Sequence, residues 1–274
     1  MKHCPIILSI AGSDCSGGAG IQADIKSISA IGGYAASVIT AVTSQNTIGV
    51  QDVFPLPPST VRQQIRSVLT DLNAQAIKIG MVANENIVEV IAACLEEFHP
   101  QHVVYDPVMV STSGRKLMTD EAIHAIRTLL FPKTTLITPN LDEISLLAGK
   151  KIHTVNEMIE TGLHFAKVWQ TCILVKGGHL EGDEMIDVLC TAQGEYRCYQ
   201  NEKIESHNLH GTGCTLSSAI ATYLAMGQSV YEAVEHGKQY VSEAIKQGAS
   251  IQIGHGNGPL CHFFRPNRIL LNDE

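Results

Sequence analysis

Residues 5–31, PIILSIAGSDCSGGAGIQADIKSISAI, decide the fold. Pro5 to Ala11 is a short apolar run closed by a turn signal, which reads as a buried strand. Gly12 to Gly20 is a glycine-rich turn. From about Ile21 to Ile31 the apolar residues return at helical spacing. Strand, glycine turn and helix form the opening unit of an α/β sheet, and the chain goes on to repeat it. Tyr34–Ala41, Ala76–Ile79, His102–Tyr105 and Thr135–Thr138 read as further strands. Residues 60–72, 84–98, 121–130, 140–148 and 155–168 read as helices between them. Such alternation predicts a largely parallel sheet with helices on both faces.

After residue 170 the pattern changes. Cys172–Val175, Met185–Cys190, Tyr196–Tyr199 and Lys203–Glu205 read as strands, with Gly182-Asp183 and Gly194-Glu195 as hairpin signals. Helices over about 214–226 and 230–247 follow. The late meander adds antiparallel strands to the parallel sheet. No linker, internal repeat or low-complexity tract interrupts the chain, so a single domain over residues 1–274 is expected.

Composition narrows the function. The 27 acidic residues outnumber the 19 basic ones, for a formal net charge of −8. That balance argues against a nucleic-acid binder held by phosphate contacts, while leaving room for a local positive pocket. With 45% hydrophobic residues the chain is too apolar to be disordered. The eight cysteines show no C-x-x-C spacing and are scattered, which points to a reducing, cytoplasmic setting. Lys2 followed by Pro5-Ile6-Ile7-Leu8 is too short an apolar stretch for a targeting segment. No run of about 18 apolar residues exists, so no membrane span is expected.

Ligands of open α/β sheets gather at the carboxyl ends of the strands, and polar clusters fall there repeatedly. Gly18-Ala19-Gly20-Ile21-Gln22-Ala23 matches the dinucleotide fingerprint in letters. The acid expected about 20 residues later to hold a ribose is missing, which disfavours an oxidoreductase. No Walker A loop is present. The strongest stretch is His210-Gly211-Thr212-Gly213-Cys214-Thr215-Leu216, where a helix begins. Free amides and the helix dipole at such an end hold negative charge and are expected to lower a thiol pKa, making Cys214 a candidate base or nucleophile. An ordinary Gly/Thr helix start with a packed cysteine accounts for the letters equally well.

With these segments in order, the chain resembles the hydroxymethylpyrimidine and phosphomethylpyrimidine kinases, of ribokinase-like fold. The matching stretches are Ser9–Asp14, Gly17–Asp24, Thr43–Asn46, Lys78–Met81, Asp106–Met109, Thr138–Asn140, Val175–His179, His210–Ser218 and Gly254–Pro259. They span almost the whole chain. The resemblance implies a three-layer α/β/α fold with a mostly parallel central sheet. It implies ATP-dependent phosphorylation, with Mg²⁺, of 4-amino-5-hydroxymethyl-2-methylpyrimidine and then of its monophosphate. It also implies a homodimer.

Site residues follow from the same resemblance. Cys214 stands where many ribokinase-like enzymes carry an Asp base, with Gly211, Thr212 and Gly213 around the transferring phosphoryl group. Gln45 resembles the pyrimidine reader, since an amide offers a donor and an acceptor together. Gly12, Asp24, Met81 and Val108 resemble other substrate-pocket positions, although Met81 and Val108 equally suit a core and Asp24 a helix surface. Asp106 is a water-mediated Mg²⁺ contact by resemblance, or simply a turn Asp before Pro107. Asn140 and Glu143 repeat an N-x-x-E spacing that supports metal and phosphates, and equally a capping box. Lys176 resembles a phosphate-contacting lysine. His210 receives no role. The segments near 111–114 and 177–183 are lid candidates. The nearest rival is a pyridoxal or pyridoxine kinase on the same fold, and a rival of another class is a non-catalytic pyrimidine-binding sensor.

Overall fold

The computed structural model describes residues 2–109, 118–178 and 184–271. The strands are β1 (Ile6–Asp14), β2 (Tyr34–Asn46), β3 (Gly49–Pro55), β4 (Ala76–Ile79), β5 (His102–Tyr105), β6 (Leu136–Ile137), β7 (Cys172–Val175), β8 (Glu184–Cys190) and β9 (Tyr196–Glu202). They form one sheet in the order β3-β2-β1-β4-β5-β6-β7-β8-β9. Strands β2 through β7 in that order pair parallel. At the two edges β3, β8 and β9 pair antiparallel.

Side chains alternate across the sheet, as a period of two requires, and each set meets its own helices. Leu8, Ile10, Ile77, Ile79, Val103, Tyr105, Ile173 and Val175 face one layer. Its helices are α2 (Pro58–Leu69), α3 (Glu85–Phe98) and α6 (Val155–Trp169), with α4 (Asp120–Ala125) and α5 (Leu141–Ala148) beside them. Ile7, Ala76, Val104, Leu136 and Leu174 face the other layer. There lie α1 (Gly20–Ile31), α7 (Thr212–Ala225) and α8 (Val230–Gly248). The expected three-layer α/β/α architecture with a mostly parallel sheet is what the chain adopts.

The differences from expectation have local causes. The first strand runs on to Asp14 because a register shift after Ala11 restores pairing, Ser13 to Val42 and Asp14 to Thr43. The second runs on to Asn46 and turns back into β3, a strand the sequence reading did not assign. The helix expected over 121–130 is regular only to Ala125. It continues as a π turn, Ile126–Leu130, and a 3-10 turn, Phe131–Lys133, where Pro132 has no N–H to continue the ladder. Lys203–Glu205 is not a strand, since pairing with β8 ends at Glu202. The Gly182-Asp183 hairpin signal, the lid candidate 111–114 and, of the lid candidate 177–183, residues 179–183 lie outside the described residues. All eight cysteines are free. Among the described residues no helix is long and apolar enough to cross a membrane.

Candidate active site

The carboxyl ends of the parallel strands and the start of α7 enclose a cavity of about 230 Å³. Its wall holds Gly12, Ser13 and Asp14 of β1, Thr43 and Gln45 of β2, and Val50 and Val53 of β3. Met81, Asp106, Val108, Asn140 and Lys176 come from the loops after later strands, Glu143 from the first turn of α5, and Leu209 to Cys214 close it. Apart from Asp24, every expected site residue is on this wall.

The start of α7, like those of α1 and α2, has no side-chain cap. Asn84, Asn140, Thr154 and Ser229 cap their helices with a side chain that accepts a backbone N–H. Gly211, at the same position before α7, has no side chain to do so. Its φ is +85°, and a Cβ there would sit 1.9 Å from the carbonyl oxygen of Gly18, so only glycine fits. The Thr212 amide and hydroxyl both donate to the Leu209 carbonyl, at 3.3 and 2.7 Å. Thr212 is therefore partly spent on the turn. The Gly213 and Cys214 amides find no acceptor among the described residues and open on the cavity.

Gly213 matters for space. A Cβ on it would lie 3.1 Å from Oδ2 of Asp106 and 3.4 Å from Nζ of Lys176. The acid and the lysine thus press directly against the helix start. Lys176 donates to Oδ1 of Asp106 at 3.0 Å, and the Thr138 hydroxyl donates to the same oxygen at 3.2 Å. Glu143 stands nearby, 3% exposed. Its carboxylate takes the Asn140 amide at 2.8 Å while its own amide donates to the Asn140 side chain at 2.9 Å. The capping box is therefore real, and it also sets both residues on the cavity wall. Burial raises the Glu143 pKa; Lys176 pulls it down and Asp106 pushes it up.

Two carboxylates therefore share one ammonium. Mg²⁺ binds through one or two carboxylates plus substrate phosphates and keeps several waters, and this donor set fits that mode. Among the described residues no group of three or more His, Cys, Asp or Glu side chains is placed to cage a metal.

Cys214 departs from expectation. Burial raises its pKa to about 11, against the pull of Lys78; Asp24 and Asp106 push the same way as burial. The helix start alone does not ionise this thiol, because desolvation is the larger effect.

Asp24 is a second correction. It is fully buried beneath the wall and does not line the cavity. Both oxygens accept from Lys78 at 2.9 Å, and Ser9 and Ser218 fill the remaining positions at 2.6 and 2.7 Å. The reason is the strand alternation: Lys78 of β4 points to the layer of α1 and α7, where Asp24 and Ser218 lie.

Asp14 and His210 form a part of the site that the sequence reading left without a role. Asp14 accepts from the amides of Ser16, Gly18 and Ala19, from the Ser16 hydroxyl, and from Nε2 of His210 at 2.8 Å. Burial works to raise its pKa, but the bonds from His210 and Ser16 outweigh it and hold the carboxyl well below the usual range. The available signal was an Asp ahead of a Ser-Gly-Gly turn, where Asp side chains bond amides a few residues on. Val50 and Val53 were missed with β3, whose bulge after Ser44 breaks the alternation that marks a strand.

The comparisons with known proteins bear on this site directly. The family model described as phosphomethylpyrimidine kinase matches residues 14–261. The chain belongs to that family. As a phosphomethylpyrimidine kinase family member it is a phosphotransferase that uses ATP as phosphoryl donor. It is 43% identical over 257 residues to the hydroxymethylpyrimidine/phosphomethylpyrimidine kinase of Escherichia coli (strain K12), covering 93% of this chain and 96% of that one. A phosphomethylpyrimidine kinase structure from Clostridium difficile 630 superposes with a TM-score of 0.79 at 43% identity, over 88% of this chain and 99% of that one. An ADP complex of Bacillus subtilis pyridoxal kinase gives a TM-score of 0.87 at 34% identity, over 95% and 98%.

Proposed function

We propose that the chain, as a single kinase domain, transfers the γ-phosphoryl group of ATP to the hydroxymethyl oxygen of 4-amino-5-hydroxymethyl-2-methylpyrimidine. It then phosphorylates the resulting monophosphate to the diphosphate, for thiamine diphosphate assembly. The observation that carries this reading is the convergence of an amide-reading residue, a thiol, an uncapped helix start and an acid–lysine wall on one small cavity. Gln45 pairs with the amino group and ring nitrogen of the pyrimidine. Gly12, Met81 and Val108 shape its seat. The Gly213 and Cys214 amides, with Gly211 and Thr212 setting the turn, hold the oxygens of the moving phosphoryl group.

In the first step the hydroxymethyl oxygen attacks the γ-phosphorus, its proton passes to Cys214, and the bond to the β–γ bridging oxygen breaks to release ADP. Cys214 must ionise in the complex to do this, since burial keeps it protonated in the free pocket. In the second step the acceptor is already an anionic phosphate, so Cys214 matters less. Lys176 and Asn140 contact the donor phosphates. Asp106 and Glu143 would hold Mg²⁺, which when bound neutralises charge on the donor phosphates. The chain works in the cytoplasm as a homodimer. The exposed Val42, Ile48 and Phe54 on the β2–β3 hairpin support a partner there.

Pyridoxal is a second acceptor to consider, because the Bacillus subtilis neighbour superposes over nearly the whole chain. An ADP-release assay with ATP and Mg²⁺ separates the readings. Turnover on hydroxymethylpyrimidine and on its monophosphate is expected. Turnover on pyridoxal alone would replace the substrate, and no turnover on any acceptor would overturn the kinase reading.

A further inference from the structure

The contacts around Gln45 hold a contradiction that hydrogen-bond chemistry resolves. Nε2 of His210 lies 2.8 Å from Oδ2 of Asp14 and 3.1 Å from Nε2 of Gln45. Asp14 already accepts bonds from three amides and a hydroxyl, so it is an ionised carboxylate and can only accept. Nε2 of His210 must therefore carry a proton to face it. A protonated ring nitrogen against the amide nitrogen of Gln45 sets donor against donor. The other end of the same amide has the matching problem. Thr43 has a single hydroxyl proton, which is directed at both the Ser13 carbonyl, at 3.0 Å, and Oε1 of Gln45, at 3.3 Å.

A half-turn of the amide removes both conflicts, because its two ends are near-equivalent in shape. Oε1 then shares the single Nε2 proton of His210 with Asp14 in a three-centre bond. Nε2 donates to the Thr43 oxygen, whose own proton goes to the Ser13 carbonyl. Each atom has a partner of the opposite kind.

We propose that His210, anchored by Asp14, is a positioning residue that locks the Gln45 amide with its oxygen toward His210 and its nitrogen toward Thr43, and so dictates which way round an aminopyrimidine binds. The amide keeps one free lone pair and one free N–H for the ligand. An exocyclic amino group beside a ring nitrogen pairs with these two in one orientation only, amino group to Oε1 and ring nitrogen to Nε2. That orientation decides whether the hydroxymethyl group on the adjacent carbon faces Cys214. The anchor is rigid: a Cβ on Gly18 would lie 2.4 Å from Cδ2 of the His210 ring, so the ring packs flush against that turn, and the His210 amide donates to the Gly258 carbonyl at 3.0 Å. The Gln45 backbone is held too, its amide on the Cys15 sulfur at 3.2 Å.

This inference rests on the aminopyrimidine reading above, and one set of assays separates the two. The quantity to measure is the ratio of kcat/KM for hydroxymethylpyrimidine to that for pyridoxal, in wild type, His210→Phe, Gln45→Ala and the double variant. His210→Phe is expected to lower the ratio by roughly tenfold, within the range a bidentate amide pair supplies. In the Gln45→Ala background it should change the ratio less than about twofold, because no amide remains to orient. An equal change in both backgrounds, or an unchanged ratio in His210→Phe, would overturn the proposal while leaving the kinase reading intact. Wild-type failure on the pyrimidine would sink both. Should the variants fold poorly, the ¹⁵N resonances of the wild-type His210 ring decide the matter: a proton on Nε2 is expected, and a ring protonated on Nδ1 alone contradicts it.

Discussion

The pairs Lys78–Asp24 and Lys176–Asp106 each join a lysine to an aspartate beside the sheet, and they do different work. Lys78 and Asp24 are both fully buried, and every acceptor position on Asp24 is filled by Lys78, Ser9 or Ser218. Lys176 and Asp106 are also close, at 3.0 Å, but they face the cavity and share it with the second carboxylate of Glu143. A satisfied pair is finished as a structural element. An unbalanced one on a cavity wall still has charge and donors to offer a ligand. Charge pairing alone does not distinguish them. Saturation does.

The comparison is most sharply broken at Lys78. Lys78→Met leaves the Asp24 carboxylate buried without its cation, a change that costs about 3–5 kcal/mol. Urea unfolding should show that loss, and the folded fraction that remains should lose far less kcat than Lys176→Met, because Lys78 reaches the chemistry only through its pull on the Cys214 thiol. A large fall in kcat at full folding would mean that the closed pair takes part in the chemistry.

Gly213→Val tests the open side by geometry alone. The added carbons meet Asp106 and Lys176 and crowd the oxygen seat at the helix start. A loss of roughly 10²-fold in kcat is expected, of the order produced by removing one oxyanion donor. The crowding should also cost about 1–3 kcal/mol of stability, as overpacking does, so kcat is compared at equal folded fraction. Preserved turnover would move the phosphoryl group away from Gly213.

These two residues also show how far the sequence carried the account. The layers, the sheet and the glycine-rich helix start were legible because periodicity and turn chemistry are local. The expected wall residues from Gly12 to Cys214 were legible through motif order. Asp24 was misplaced because its partner, Lys78, sits on β4, far from it in the chain, and only the fold shows that the two saturate each other. The Cys214 thiol was misjudged for a similar reason: the helix start is visible in the letters, but the depth of burial is not. Asp14 and His210 lie far apart in the chain, so their pairing left no local mark.

Cys214→Ser is expected to slow the first phosphorylation by about 10²-fold, the lower range for a general base, and the second step by much less. The pH profile should agree. With burial holding the thiol up to about 11, a thiolate base becomes more abundant as pH rises, so the first-step rate should climb from pH 7 to 9 while the second stays flatter. Single-turnover assays of each step read this, and equal losses in both would remove Cys214 from the role.

The smallest effect concerns His262, a buried group on the structural side of the comparison. It bonds Thr215 at 3.0 Å beneath α7, and burial lowers its pKa to about 4 from the usual 6.5. The unfolded chain therefore takes up this proton first as pH falls. The stability due to the neutral ring is complete above about pH 6.5 and declines between 6.5 and 4, by roughly 2–3 kcal/mol. His262→Gln should flatten that part of the stability–pH curve. An unchanged slope would show that the ring is protonated in the fold.

The most direct test of the account is a single-turnover measurement of phosphoryl transfer from ATP to hydroxymethylpyrimidine by Lys176→Met, taken with its unfolding free energy. Transfer is expected to fall by roughly 10²–10³-fold at equal folded fraction, beyond any loss of stability from the unpaired Asp106 and Glu143 carboxylates. Transfer within a few-fold of wild type, or a loss explained by unfolding alone, would contradict the assignment of the open pair to the chemistry.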